Sequence, residues 1–278
     1  MSSSETVSGR AQSGRVFGKR ILITGAARGM GRSHAVRLAE EGADLILVDI
    51  CQSLPEIEYP LATVEDLEET ARLVRKHDRR AITRVVDVRD AAALSAAVAD
   101  GVAELGGLDA AVANAGVLTV GTWDTTTSEQ WRTVVDVNLI GSWNTCAAAI
   151  PHLVDSGGSL VIISSSAGLK GTPLHIPYTA SKHGVVGLSR ALANELAAQN
   201  IRVNTVHPTG VETGMRPESL QGLLGEARPD LIPIFLNALP MAMAEASDIS
   251  NAVLFLVSDE SRSVTGLEFK VDAGVTLR

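Results

Sequence analysis

A tyrosine and a lysine stand four residues apart in Tyr178-Thr179-Ala180-Ser181-Lys182, and Ser165 lies thirteen residues upstream. On a helix, that separation puts the phenol and the ammonium on one face, about one turn apart. A neighbouring ammonium favours phenolate, which predicts a Tyr178 pKa lowered from about 10 toward neutral. A tyrosine tuned in this way exchanges a proton with an alcohol or carbonyl oxygen near physiological pH. Any amphipathic helix carrying one Tyr and one Lys would show the same spacing, so the rest of the chain must decide.

The elements that would position this pair follow from apolar runs alternating with helical patterns. Strands are expected at 20–24, 43–49, 82–87, 108–114, 159–164, 202–207 and 268–271. Helices are expected after the first turn through Glu41, from a start box at Thr63–Asp66 to His77, and from Asp90 to Leu105. Further helices are expected from Ser128 to Val154 with a kink near Gly141, from the Tyr178 segment to Gln199, and from Ser247 to Ser258. The strands are continuously apolar rather than alternating, which indicates a parallel sheet covered on both faces. Repeated β-α units imply right-handed crossovers and a doubly wound α/β domain. No linker interrupts residues 15–278, so one domain is expected, preceded by a disordered polar tail at 1–14.

The first strand runs into Thr24-Gly25-Ala26-Ala27-Arg28-Gly29-Met30-Gly31, a glycine-rich turn opening a helix. Glycines let the backbone approach a pyrophosphate, and the helix N-terminus offers free N–H groups and a positive dipole. Asp49, eighteen residues after Gly31, ends the second strand, where a carboxylate can accept from adenosine ribose hydroxyls and would repel a 2′-phosphate. This favours NAD over NADP. Arg28 argues the other way, but Ile50 and Cys51 bring no positive charge beside Asp49. Asp87-Val88 ends the third strand facing adenine, Asn114-Ala115-Gly116 ends the fourth, and Pro208–Thr213 follows the sixth. Ligands of open α/β sheets bind at the carboxyl ends of the strands, so all these segments fall on one edge with Ser165.

Composition excludes several other classes. The 278 residues are 45% hydrophobic, enough for a large core, and carry a net charge of −8 with no basic tract, which argues against nucleic acid and membrane surfaces. No run of about 20 apolar residues is present to span a bilayer. Cys51 and Cys146 are far apart and read as reduced thiols of a cytoplasmic protein, and no metal-ligand cluster appears.

Taken together, TGAARGMG at 24–31, NAG at 114–116, Asn138, Ser165 and YTASK at 178–182 resemble the short-chain dehydrogenase/reductase family from Phe17 to Gly274. The resemblance implies a single-domain Rossmann fold with a mostly parallel seven-stranded sheet and a catalytic tetrad of Asn138, Ser165, Tyr178 and Lys182. Ser165 is chosen over Ser164 and Ser166 because it stands three residues before Gly168. It implies that Tyr178 takes the substrate hydroxyl proton while hydride passes to nicotinamide. Ser165 would orient the substrate oxygen, Lys182 would lower the Tyr178 pKa and hold the nicotinamide ribose, and Asn138 would hold a relay water. It also implies nicotinamide contacts from Pro208, Gly210, Val211 and Thr213, although Thr209 stands where the family usually has glycine. Family members are usually tetramers, with the helices at 128–154 and 175–199 as contact surfaces.

The segment 50–63 makes the connection from Asp49 to Asp87 longer than is usual in the family, and the excess lies in QSLPEIEYPLA. With HPTGVET at 207–213 and SNAVLFLVSDESRSVTG at 250–266, it is similar to the mycofactocin-associated dehydrogenases, including carveol dehydrogenases. That similarity implies retained NAD and electron transfer to an external mycofactocin-type carrier. The insertion's place directly after Asp49 lets it fold over the adenosine end, the alternative being a solvent-exposed loop. The apolar segment 214–246 is expected to lid the substrate site and to suit a hydrophobic alcohol or ketone. His175 is placed near the pocket, and His207 as a strand end. Two other readings use the same residues: an NADPH-dependent carbonyl reductase, which Asp49 disfavours, and a non-enzymatic NAD-binding sensor, which the tetrad disfavours.

Overall fold

Seven parallel strands form one sheet in the computed structural model, which describes residues 14–278. The expected polar tail lies outside the described residues but for Gly14. The order is β3-β2-β1-β4-β5-β6-β7, with β1 at Arg20–Thr24, β2 at Asp44–Asp49, β3 at Ala81–Val85, β4 at Ala110–Ala113, β5 at Gly158–Ile163, β6 at Ile201–Pro208 and β7 at Glu268–Val271. Every pairing is parallel, so the sheet is wholly rather than mostly parallel. The winding reverses between β1 and β4, and that switch point opens a crevice at the strand ends.

The continuous apolar strands are explained by cover on both faces. Leu22, Ile46, Val48, Leu160 and Ile162 pack on one side with residues of α3 (Ala91–Leu105), α5 (Gly141–Ala149) and α6 (Ile176–Glu195). Their neighbours Ile21, Ile23, Leu45, Leu47, Val161 and Ile163 face the other side, against α1 (Gly29–Glu40), α2 (Val64–Arg75) and α9 (Ala246–Val257).

The local signals act as expected at most boundaries. Thr63 and Asp66 form a reciprocal capping box, Thr63 N donating to Asp66 Oδ2 at 3.0 Å and Asp66 N to Thr63 Oγ1 at 3.3 Å. Asp90 accepts from Ala93 N at 3.0 Å and starts α3. Departures lie where tertiary packing overrides local pattern. The single helix expected at 128–154 is α4 (Ser128–Val135), a π turn at Asp136–Ile140, then α5 and a 3₁₀ turn to His152. The expected kink at Gly141 is therefore a widened turn ending just before it, and Asn138 sits inside that turn. Likewise α6 closes at Glu195 and continues to Gln199 only as a 3₁₀ turn, while β3 stops at Val85, leaving Asp87 and Val88 beyond its end. The segment 214–246 holds only two short α-helices, α7 (Ser219–Gly222) and α8 (Ile232–Phe235).

Candidate active site

The crevice divides into two adjoining cavities. The first begins at the turn after β1, where Gly25 and Gly29 take φ of +65° and +54°, a region open to glycine without strain. Gly31 is fixed by a different constraint: a Cβ there would stand 2.0 Å from the Gly25 carbonyl oxygen. Asp49, buried at the end of β2, accepts from Ala27 N at 3.0 Å and from Cys51 N at 3.1 Å. Its carboxylate ties the loop to the strand and keeps lone pairs for a further donor. The sequence-predicted residues Gly25, Arg28, Gly29, Met30, Gly31, Asp49, Ile50, Asp87, Val88, Asn114, Ala115, Gly116 and Thr213 all line this cavity.

The cavity's chemistry fits a dinucleotide. The N-terminal turn of α1 opens onto it, and the Asn114 side chain donates to Thr24 O and Gly25 O while its buried Oδ1 finds no partner. A polar ligand is the natural complement of such an atom. Arg28 lies 6.0 Å above the Tyr59 ring, and a Cβ on Gly214 would come within 3.0 Å of its Nη1.

The insertion covers this cavity. Leu54, Ile57, Tyr59 and Ala62 are buried, and Leu54, Tyr59, Leu61 and Ala62 line the cavity wall. The Tyr59 hydroxyl accepts from Leu118 N at 2.9 Å, just past the NAG turn. On its other side, Glu58 accepts from the Ser219 hydroxyl at 2.7 Å, which joins the insertion to the first helix of the 214–246 segment. In the sequence Tyr59 is distinguished only as part of the insertion. The available signal was its scarcity, since Tyr59 and Tyr178 are the two tyrosines of the chain.

The second cavity, of about 860 Å³, has Ser165 and Tyr178 in its wall. Thr213, Met30 and Met215 line both cavities, so they meet at this point. Pro208, Gly210 and Val211, expected to touch the cofactor, line the second cavity. Thr209 needs no glycine geometry: its φ is not positive, and its hydroxyl donates to Asn237 Oδ1 at 2.7 Å, tying the end of β6 to the 214–246 segment. Lys170 adds a second tie, with its ammonium donating to Ile234 O and Val275 O, both at 2.8 Å.

Lys182 and Asn138 line neither cavity but stand directly behind. Lys182 Nζ lies 5.5 Å from the Tyr178 ring centroid and donates to Ile163 O at 2.7 Å. Gly116 separates the pair from the first cavity, since a Cβ there would lie 3.4 Å from Asn138 Oδ1 and 3.6 Å from Lys182 Nζ. Asn138 Oδ1 accepts from Val117 N, and Nδ2 donates to Val117 O and the Ser181 hydroxyl. Its carboxamide therefore fastens the turn after β4 to α6, a positioning task distinct from the water-holding expected of it.

Electrostatics correct one expectation. Burial holds the Tyr178 phenol above its ordinary pKa, and only the Ser165 hydroxyl pulls it down. The expected lowering by Lys182 is absent because that ammonium is itself buried, depressed to about 8, and turned toward the Ile163 carbonyl.

Ser165 is held by a residue whose role the sequence did not reveal. His207 is fully buried, with Nδ1 2.8 Å from Ser165 O and Nε2 2.8 Å from Thr205 Oγ1. A carbonyl only accepts, so Nδ1 carries the proton and Nε2 takes a hydrogen bond from Thr205. Ser164 donates its hydroxyl to Lys182 O at 3.0 Å, which commits it to α6. Ser165 Oγ accepts from Ala167 N at 3.1 Å, and its own hydroxyl is hydrogen-bonded to the Tyr178 phenol.

Known proteins resemble this chain along most of its length. The family described as Enoyl-(Acyl carrier protein) reductase matches residues 25–276. The (−)-trans-carveol dehydrogenase of Rhodococcus erythropolis is 47% identical, over 95% of this chain and 99% of that protein. A crystal structure of carveol dehydrogenase from Mycobacterium avium in complex with NAD superposes with a TM-score of 0.91, at 50% identity over 96% of this chain and 100% of that one. A short chain dehydrogenase from Mycobacterium paratuberculosis bound to NAD gives 0.92, at 48% identity over 95% and 100%. With relatives this similar along nearly its whole length, the chain belongs to the short-chain dehydrogenase/reductase family of oxidoreductases.

Proposed function

We propose that the protein is an NAD-dependent dehydrogenase interconverting a hydrophobic secondary alcohol and its ketone, with carveol-like terpene alcohols as the substrate class. The convergence of Ser165 and Tyr178 in the wall of a largely apolar cavity, adjoining one lined by the glycine-rich turn and Asp49, carries the reading. NAD binding and carveol oxidation in relatives about half identical support it. Asp49 favours NAD over NADP, since a 2′-phosphate would meet a buried carboxylate while Arg28 is held over Tyr59.

The bound nicotinamide supplies the hydride acceptor. Ser165 donates a hydrogen bond to the substrate oxygen and fixes the carbinol carbon. Tyr178 as phenolate takes the hydroxyl proton in oxidation, and as phenol it gives that proton to the carbonyl oxygen in reduction. Lys182 stands behind the Tyr178 ring, 5.5 Å from its centroid, and Asn138 holds α6 and the NAG turn in register.

The closed insertion supports a finer reading, in which the single domain retains NAD and passes electrons to an external mycofactocin-type carrier. Exposed Trp131, Ile140, Trp143 and Ile176 on α4, the π turn, α5 and α6 support a homotetramer through those helices, and the two free cysteines suit the cytoplasm. The expected result is that gel-filtered protein releases NAD on denaturation, seen by mass spectrometry. It should oxidise carveol with an artificial electron acceptor, and Tyr178→Phe should lose turnover by about 10²–10⁴-fold while keeping NAD. Protein that emerges free of nicotinamide and turns over with added NAD would remove retention but not dehydrogenation. Equal inactivity of wild type and Tyr178→Phe across an alcohol panel would remove the activity itself.

A further inference from the structure

His175 lines the substrate cavity and has no task in the fold. It occupies the N-cap position of α6, yet its side chain caps nothing. It is more than nine-tenths buried, and its Nε2 has no hydrogen-bond partner. An imidazole nitrogen left this way costs stability unless something else completes it. The backbone adds a second sign. Leu174, immediately before it, adopts φ +63°, a left-handed conformation that is strained for a residue with a branched side chain. The strained turn sets His175 edge-on to Tyr178, with ring centroids 6.3 Å apart, and edge-on to Phe235 of the lid at 5.7 Å. A polar group is thus held one ring away from the catalytic phenol, between it and the lid, without a partner in the protein.

We propose that His175 is a substrate-specificity residue that binds a second oxygen, close in the molecule to the reacting carbinol. The preferred substrates would then be vicinal or 1,3-oxygenated alicyclic alcohols and ketones rather than simple alcohols. This deepens the alcohol dehydrogenase reading and rests on it. Both ends of the geometry constrain the ligand. Its first oxygen is fixed between Ser165 and Tyr178, and the short distance between the rings restricts the second oxygen to a position a few bonds away. The remaining surface toward the lid, including Leu220, Leu224, Ile234 and Met243, accepts the hydrocarbon part. Burial depresses the imidazole to about 4, so it is neutral at working pH and has one nitrogen that donates and one that accepts. A hydroxyl or a carbonyl can therefore fill the second position.

The test compares kcat/KM for cyclohexanol and for cyclohexane-1,2-diol, using the purified enzyme with its nicotinamide and phenazine methosulfate as electron acceptor. Wild type is expected to favour the diol by about fivefold or more, the value of one net hydrogen bond. In His175→Phe that ratio should fall to about one, and His175→Gln, which can still donate and accept, should recover part of it. A wild-type ratio near one, with cyclohexanol oxidised, overturns this inference and leaves the dehydrogenase reading standing; this readout needs no variant to fold. An unchanged ratio in folded His175→Phe also overturns it. Failure of wild type to oxidise either probe or carveol removes the dehydrogenase reading, and this inference falls with it.

Discussion

At the scale of single residues, the proton chemistry of Tyr178 is set by burial. Because the phenol is held above its ordinary pKa, the neutral form dominates at pH 7 and is poised to protonate a carbonyl. Alcohol oxidation needs the phenolate, so its kcat/KM is expected to rise with pH through the alkaline range, and ketone reduction to fall over the same range. Lys182, depressed to about 8 by burial, titrates in the same alkaline range. Initial-rate profiles in both directions would check this; a flat oxidation profile above neutrality would contradict it. His207 acts one step further back. Replacing it with Phe frees the Ser165 carbonyl and leaves the Thr205 hydroxyl only the Leu267 carbonyl at 3.3 Å. The expected loss is in kcat, up to about 10²-fold for a displaced orienting group, with NAD content unchanged. The Tyr178–Lys182 spacing and Ser165 were legible because they follow short, local rules. His207 was not, since its importance depends on β6 lying beside β5, a contact between residues 42 apart.

At the scale of elements, helix starts were legible wherever a side chain caps its own turn, as Thr63 and Asp90 do. The π turn was hidden, because it depends on Asn138 being drawn to Val117 and Ser181, and neither pull has a local signature. The insertion was readable as extra length, but its burial was not. Alternating Leu54, Ile57 and Tyr59 with Glu56 and Glu58 gives a pattern too short to separate a packed strap from a solvated loop. Tyr59→Phe tests how much the strap depends on one hydroxyl. The change leaves the buried Leu118 N–H without an acceptor and should destabilise the fold by ~1–3 kcal/mol in urea titration. NAD should also leave faster in a dilution assay, because the wall of its cavity loosens. Unchanged stability and release would mean that the hydroxyl is incidental.

Across the whole molecule, three histidines are buried in the neutral form. Burial depresses His34, between α1 and α9, to about 3, His175 to about 4, and His207 below its ordinary value. Each has a folded pKa beneath the unfolded value of about 6.5, so the unfolded chain binds the proton first. The stability they permit is complete above about pH 6.5 and is lost as pH falls toward their folded values, by up to ~1.4 kcal/mol per pH unit for each. Urea midpoints at pH 7.5 and 5 should differ accordingly, and His34→Gln should shrink the difference; equal midpoints would contradict it. The fold class itself was legible at this scale, since continuous apolar strands at even spacing leave few arrangements other than a covered parallel sheet.

The Lys170 ammonium joins α8 to the carbonyl of Val275, and it also reaches the Arg278 carbonyl at 3.4 Å. The last four residues are thereby a lever on the second cavity, whose wall includes both Lys170 and Val275. A purification tag fused after Arg278 would pull on that lever. Measured substrate preference would then change when a handle is attached at that end.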